Sequence, residues 1–161
     1  MQTYFPPIHH NQKSKWKMND SILKNFLSER PEKDHPVLPL PSIMVVDDNE
    51  IILTTMRDYL LSVGFDVSAC QNGKDAIACA KTHKPALIIM DIQMPDLDGI
   101  ETTRQIKLDQ NLANIPIIAL TALTMKSDRE RCQQVGINDY INKPISFKSL
   151  VVIIKKHLNL D

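Results

Sequence analysis

The sequence predicts an α/β protein in which five parallel strands and five helices form a doubly wound sheet with the strand order 2-1-3-4-5. Two patterns from residue 42 onward carry this prediction. Short apolar runs alternate with segments of helical periodicity, which is typical of parallel sheets with right-handed crossovers. Polar residues directly follow several of the runs, at the edge where open α/β sheets collect ligands.

The composition fits one ordinary domain plus an extension. The chain has 161 residues, 43% of them hydrophobic, and a formal net charge of zero. It contains no Lys/Arg run, so binding to nucleic acid or to anionic membranes has little support. No apolar run approaches the roughly 20 residues that span a bilayer, and the N-terminus lacks the apolar core of a signal peptide. We therefore expect a soluble, cytoplasmic protein without a membrane segment.

Residues 1–41 differ from the rest of the chain and are interpreted as a proline-rich extension or linker. Six of the ten prolines lie here, among polar and basic residues. Asp20 is a candidate N-cap for a short helix over 20–28, and the stretch 31–41 should be extended and fairly stiff. His9 and His10 are interpreted as solvated polar residues because no further metal ligands accompany them. The domain itself is predicted over 42–161.

The first half of the domain reads as strand, helix, strand, helix. Apolar residues at 43–46 form a strand that ends at Asp47 and Asp48. A helix over 50–63 follows, with Gly64 as its stop signal. Its apolar residues recur at helical spacing: Ile52, Met56, Tyr59, Leu60 and Val63. A second strand covers 66–70, and a second helix covers 73–82 with Ala76, Ile77 and Ala80 facing inward.

The second half continues the alternation. An apolar run at 86–90, followed by Asp91, is predicted to be a central strand buried on both faces. A helix over 99–109 comes next, then a strand over 117–120 that ends at Thr121, and a helix over 125–135. A short strand at 140–142 precedes Lys143 and Pro144. Ser146 is predicted to cap the last helix.

Three carboxylates should meet at one edge of this sheet. In the order 2-1-3-4-5 the first and third strands are neighbours about 4.8 Å apart, so Asp47 and Asp48 would face Asp91. Crowded carboxylates resist ionisation unless a cation shares their site, and oxygen ligands favour Mg²⁺ or Mn²⁺. A carboxylate can also attack phosphorus and form an acyl phosphate. The hydroxyl of Thr121 and the ammonium of Lys143 would meet the charge of the phosphoryl oxygens.

At these residues the chain resembles the receiver domain of two-component response regulators and hybrid histidine kinases. The motifs are VVDDN at 45–49, MDIQMPDLDG at 90–99, LTA at 120–122 and NKP at 142–144, and they stand in the order and spacing of that family. The resemblance covers about 42–161 and implies a flavodoxin-like fold. It also implies that the chain signals, and that it catalyses only its own phosphorylation and dephosphorylation.

The resemblance implies a role for each residue of this edge. Asp91 would be the phospho-acceptor. Asp48 would bind the metal directly with the assistance of Asp47, and Asp91 and the main-chain carbonyl of Gln93 would complete the protein ligands. The metal would be Mg²⁺ or Mn²⁺. Leu123 occupies a position tied to phosphoryl lifetime and offers no polar group to an attacking water.

The remaining implied roles concern binding and switching. Thr121 and Lys143 would bind the phosphoryl group, and Lys143–Pro144 would be a cis peptide. Thr121 and Tyr140 would form the switch, with the aromatic ring turning inward on activation. A surface on the last two helices and last strand would then change partners or support a homodimer, and it would include Lys126, Arg129, Tyr140 and Lys148.

The implied partners are a histidine kinase or histidine phosphotransfer domain and a downstream protein or domain that the sequence does not identify. Ile52, Met56 and Ile145 lie beside the acidic edge and could present an apolar patch to the donor. The alternative reading is that Ile52 and Met56 belong to the core. Whether the chain is a stand-alone regulator or part of a hybrid kinase stays open.

Three other functions are weaker alternatives. A phosphohydrolase of the haloacid dehalogenase type would carry a second acid two residues after its nucleophile, where this chain has Gln93. A pseudo-receiver that only binds partners would usually have lost an acid or the lysine, and the chain retains them. A DNA-binding transcription factor is not expected because nothing follows the last helix.

Overall fold

The computed structural model describes residues 41–122 and 126–160, and for residues 126–128 only the backbone. The predicted helix over 20–28, the rest of the extension up to residue 40, Leu123, Met125 and the side chain of Lys126 lie outside the described residues. No helix within the described part of the chain is long and apolar enough to cross a membrane.

The predicted architecture is confirmed: strands and helices alternate along the chain, and the five parallel strands have the order β2-β1-β3-β4-β5. The strands are β1 (Ser42–Val46), β2 (Asp66–Cys70), β3 (Leu87–Asp91), β4 (Ile117–Thr121) and β5 (Asp139–Asn142). The helices are α1 (Glu50–Ser62), α2 (Gly73–His83), α3 (Gly99–Leu108), α4 (Lys126–Gln134) and α5 (Phe147–Leu158).

Alternate residues of the central strands point into two separate hydrophobic cores, as a sheet covered on both faces requires. Val46 and Met90 lie on the face covered by α2, α3 and α4, whereas Val45 and Ile89 lie on the face covered by α1 and α5. All five residues of β3 are buried. The central strand therefore has no solvent-facing side, and its functional groups can be presented only at its end.

The buried face of α1 coincides only in part with the apolar residues whose spacing predicted the helix. The buried residues of this helix are Leu53, Met56 and Leu60. Ile52 is only partly buried and Val63 is 41% exposed. The apolar residues of α1 nearly surround the helix, so periodicity alone did not select the stripe that packs on the sheet.

Most element boundaries agree with the prediction to within one residue, and the differences at β3 and β4 affect the site. Asp91 and Thr121 belong to the strands themselves. Asp91 pairs with Leu120, and Thr121 pairs with Asn142. The amide of Lys143 donates to the carbonyl of Thr121 over 2.9 Å. The ladder therefore extends through both functional residues and fixes their backbones.

Gly99 allows the loop after β3 to fold back against Asp91. A Cβ at Gly99 would overlap the main-chain carbonyl oxygen of Asp91 and would lie 2.8 Å from the Cα of Ile92. The Gly99 amide donates to the Ile92 carbonyl over 3.0 Å. Any side chain here would push the loop away from the strand end, so the glycine is needed to hold the loop beside Asp91.

Candidate functional site

The carboxyl ends of β1, β3, β4 and β5 bring the predicted site residues to one edge of the sheet. Val46 pairs with Met90, which places Asp47 beside Asp91. Asp47 and Asp91 are 0% and 3% exposed, whereas Asp48 is exposed. One carboxylate oxygen from each of the three lies within 4.8 Å of the other two. Two buried acids and one solvent-facing acid thus form a compact oxygen-rich cluster.

Lys143 reaches into this cluster from the end of β5. Its Nζ lies 2.8 Å from Asp91 Oδ2 and 3.1 Å from Asp47 Oδ2. Burial alone would lower the pKa of Lys143. The hydrogen bonds and charges of Asp91 and then Asp47 outweigh burial and raise it. The lysine is therefore held in its charged form between the two buried acids.

Asp47 lies in an environment that disfavours its negative charge. Its pKa is raised, chiefly by burial and also by the charge of Asp91. The backbone amide of Asn49, which donates to Asp47 Oδ1 over 2.9 Å, and the ammonium of Lys143 oppose this shift without cancelling it. The cluster retains more negative charge than Lys143 compensates, so a further cation would be favourable here.

Asp91 is oriented by contacts to both of its carboxylate oxygens. Oδ2 accepts from Lys143, and Oδ1 accepts from the backbone amide of Gln93 over 3.1 Å. The hydrogen bond from the Gln93 amide depends on the loop that Gly99 holds against the end of β3. The Asp91 carboxylate is therefore held in one orientation at the carboxyl end of β3, next to the other two acids.

Thr121 and Tyr140 lie on adjacent strands of the same core face. Thr121 is 4% exposed at the end of β4. Tyr140 pairs with Ala119, two residues before Thr121, and packs half-buried against the core on that face. The Tyr140 hydroxyl accepts from Arg129 Nη1 over 3.0 Å, and the guanidinium carbon lies 4.6 Å from the ring centroid. The aromatic side chain is thus held from outside by α4.

An apolar groove lies next to Lys143. It has a volume of about 270 Å³ and is lined by residues of α1 and of the segment after β5: Ile51, Ile52, Thr55, Lys143, Pro144, Ile145 and Phe147. The Lys143–Pro144 peptide at its edge is cis.

The groove revises the predicted apolar patch. Met56 is 0% exposed and belongs to the core, so the reading that placed it on the patch was wrong. Ile51 is 78% exposed and lines the groove, and the sequence reasoning missed it. Its place directly after the acidic loop, at the first turn of α1, was the available signal.

The site and fold can be compared with known proteins. The sequence profile of the response regulator receiver domain matches residues 43–155. The polar-differentiation response regulator DivK of Brucella anthropi is 43% identical over 117 residues, which cover 73% of this chain and 95% of that protein.

Two solved structures are also similar to this chain. The receiver domain of the Pseudomonas aeruginosa sensor histidine kinase PA1611, with a magnesium ion coordinated in its active-site cleft, is 36% identical with a TM-score of 0.69. The match covers 74% of this chain and 98% of that one. The Vibrio cholerae chemotaxis protein CheY4 is 24% identical with a TM-score of 0.72, covers 74% of this chain and 99% of its own, and shows the shared fold.

Proposed function

The chain belongs to the response regulator receiver domain family, and on that premise we propose that it takes a phosphoryl group from a phosphohistidine onto Asp91. The proposal places the chain in a cytoplasmic two-component or phosphorelay system. One observation carries the choice of residue: Asp91 is the buried carboxylate that ends the central strand, with Lys143 Nζ 2.8 Å from one of its oxygens. No other described acid combines that position with that contact.

The donor set of the cluster fits a hard divalent cation. Mg²⁺ keeps several waters and needs few carboxylates, and the three acids lie within reach of one ion. Asp48 would bind it directly, Asp47 would assist, and Asp91 and the carbonyl of Gln93 would complete the ligands. When bound, Mg²⁺ or Mn²⁺ would neutralise charge on the phosphoryl oxygens.

The residues of this chain would then take part in phosphoryl transfer as follows. A carboxylate oxygen of Asp91 attacks the phosphorus atom, a P–O bond forms, and the bond from phosphorus to the histidine nitrogen breaks. The electron pair of that bond leaves with the donor imidazole. The Lys143 ammonium, already beside Asp91, would move its hydrogen bond to a phosphoryl oxygen, and the Thr121 hydroxyl would donate to another.

The switch would follow from the same step. A phosphoryl group on Asp91 carries oxygens that Thr121 can approach by moving toward the site. The movement would open space on the core face that Tyr140 shares, and the ring could turn inward. Such a local hydrogen bond can bias a two-state element. The readout would be the surface of α4, β5 and α5, through a downstream partner or a homodimer.

The donor would be a histidine kinase or a histidine phosphotransfer domain that inserts apolar side chains into the groove beside Lys143. Ile51, Ile145 and Pro144 surround that groove within reach of the acidic edge. Ile51 is exposed and continues the apolar lining formed by Ile52, Pro144 and Ile145, and a contiguous exposed apolar surface is typical of an interaction site. An amphipathic helix that carries the phosphohistidine would fit this shape.

Ile51→Glu tests the docking role. The substitution should slow transfer from a phosphorylated phosphotransfer protein about tenfold, because it places a charge in an apolar interface. Transfer from acetyl phosphate should be unchanged. Leu61→Glu is the matched control, since Leu61 is 47% exposed at the other end of the same helix. An equal loss with both donors, or with both variants, would show that the groove is not the docking site.

Phosphate-affinity gels with the wild type and Asp91→Asn test the function itself. The wild type should shift with acetyl phosphate and Mg²⁺, and Asp91→Asn should not. No shift of the wild type with any donor would favour a pseudo-receiver. Multiple turnovers on a small phosphate ester would favour the phosphohydrolase alternative.

A further inference from the structure

The apolar groove beside Lys143 continues onto the outer face of α1. A second hollow of about 340 Å³ is lined by Glu50, Ile51, Thr54 and Thr55. Ile51 and Thr55 line both hollows, so the two join into one surface. All four residues of the second hollow are exposed. The surface that a protein donor would cover therefore includes a negative charge, that of Glu50, at its edge.

The fold makes no visible use of the Glu50 carboxylate. Within residues 41–122 and 126–160, no cation lies within ion-pair distance of it. Glu101, the acid in the first turn of α3, differs because it accepts from Arg104 Nε and Nη2 over 2.8 Å. An acid in the first turn of a helix gains some stability from the helix dipole. That role of Glu50 would not depend on the charge of a donor, so it can be separated by experiment.

Glu50 adds to the negative charge of the edge where the donor arrives. It follows Asp48 by two residues, and both side chains are exposed beside the two buried acids that Lys143 compensates only in part. The whole chain has a formal net charge of zero, so this negative potential is local. At an ionic strength of about 0.1 M such a potential extends about 10 Å into solvent. An approaching donor passes through it.

We propose that Glu50 selects the class of phosphodonor: it repels small anionic acyl phosphates and attracts a protein donor with Lys or Arg beside its phosphohistidine. The proposal rests on the proposed phosphorylation of Asp91. The apolar side chains of the donor helix would enter the groove, and its basic side chain would face Glu50 at the rim. A charge at the rim of an interface acts mainly on the rate of association and on its salt dependence. The two donor classes should therefore respond to Glu50 in opposite directions.

Glu50→Lys tests this with two measurements at an ionic strength of about 0.1 M. Labelling by subsaturating acetyl phosphate, at constant Mg²⁺, should become about threefold faster because a repulsion turns into an attraction. Stopped-flow association with an unphosphorylated phosphotransfer protein that carries exposed Lys or Arg beside its histidine, without Mg²⁺, should become about threefold slower. Glu50→Gln removes one charge instead of reversing it and should give intermediate values in both assays.

Asp66→Lys is the matched control. It makes the same change in net charge, but Asp66 is exposed at the start of β2, at the opposite edge of the sheet from the acids. Both rates should stay at the wild-type values. A second control changes the donor: with its basic residues replaced by Gln, the phosphotransfer protein should associate equally fast with the wild type and with Glu50→Lys. In about 1 M salt, where charges are screened within about 3 Å, the differences should vanish.

Three results would overturn the proposal: a change in the same direction for both donors, an equal effect of Asp66→Lys, or an effect of Glu50→Lys that persists in high salt. A failure of the proposed function looks different. In that case acetyl phosphate would not label the wild type at Asp91 at all. The association measurement needs no phosphoryl transfer, so it would still decide whether Glu50 attracts a basic partner to this surface.

Discussion

The Lys143 ammonium donates to the Asp91 carboxylate over 2.8 Å, although 52 residues separate them in the sequence. It donates at the same time to Asp47 over 3.1 Å. The lysine thus occupies the position between two buried acids where positive charge is most needed before a metal or a phosphoryl group arrives.

Replacing this lysine should destabilise the metal-free protein. Lys143→Met keeps the alkyl chain and removes the charge, and we expect a loss of about 2 kcal/mol in the free energy of unfolding, because two buried carboxylates are left uncompensated and the lysine is only partly buried. Mg²⁺ should restore stability more strongly in the variant than in the wild type. Urea unfolding with and without Mg²⁺ measures both. Equal stabilisation by Mg²⁺ would mean that the ammonium and the cation do not share a site.

Thr121→Ala should uncouple phosphorylation from its response. The variant keeps Asp91 and should still be labelled, but the phosphate mimic beryllofluoride should change its ¹⁵N spectrum on β5 and α5 only weakly. Thr121→Ser retains the hydroxyl and should recover the response. A full response in Thr121→Ala would show that the coupling to Tyr140 runs by another route.

Arg129 should hold Tyr140 in its resting position. Its hydrogen bond and ring contact together contribute about 1 kcal/mol, so Arg129→Ala should shift the resting equilibrium of the ring toward the activated position about fivefold. NMR of ¹³C-labelled tyrosine, with beryllofluoride to define the activated spectrum, measures the shift. Arg131→Ala, an exposed position on the same helix, should leave the Tyr140 signals in place. Movement of the Tyr140 signals in Arg131→Ala but not in Arg129→Ala would show that Arg129 does not hold the ring in its resting position.

Asp139 should contribute stability that depends on pH. Burial would raise its pKa, but hydrogen bonds from His157, the Tyr140 amide and Lys156 outweigh burial and lower the pKa below the usual 3.8. A lowered pKa means that the contribution is present above pH 3.8 and is lost as the pH falls through the folded-state value. Asp139→Asn should therefore cost about 1 kcal/mol near neutral pH and little in strong acid.

Urea unfolding of both proteins across the acid range gives this difference directly. Asp58→Asn is the control, because Asp58 pairs with Arg57 on an exposed surface. Its difference from the wild type should be near zero at every pH. A constant cost for Asp139→Asn across the range would mean that the side chain acts through packing alone.

Asp47, Asp91 and Thr121 could be predicted because each follows an apolar run, and Lys143 because it follows the last short strand. The strand order then placed Asp47, Asp91, Thr121 and Lys143 together, and the structure brings these four to one edge as expected. Their individual roles in phosphorylation remain predictions. The sequence did not predict that β3 and β4 continue through Asp91 and Thr121, because pairing at these two residues depends on the neighbouring strands.

Other contacts could not be read from the sequence because they depend on how a helix rotates on the sheet. The rotation of α1 on the sheet buries Met56, which the prediction placed on the patch, and exposes Ile51, whereas Ile52 and Ile145 line the groove. Arg129 and Tyr140 lie on different elements, and their contact is set by the packing of α4.

The phosphorylation of Asp91 can be tested most directly by borohydride reduction, which converts an aspartyl phosphate into homoserine. The full chain is incubated with acetyl phosphate and Mg²⁺, reduced, digested and sequenced by mass spectrometry. We predict homoserine at position 91 alone, and none when Mg²⁺ is replaced by a chelator or when Asp91→Asn is used. Homoserine at position 47 or 48, or its formation at 91 without a divalent cation, would contradict the proposed site.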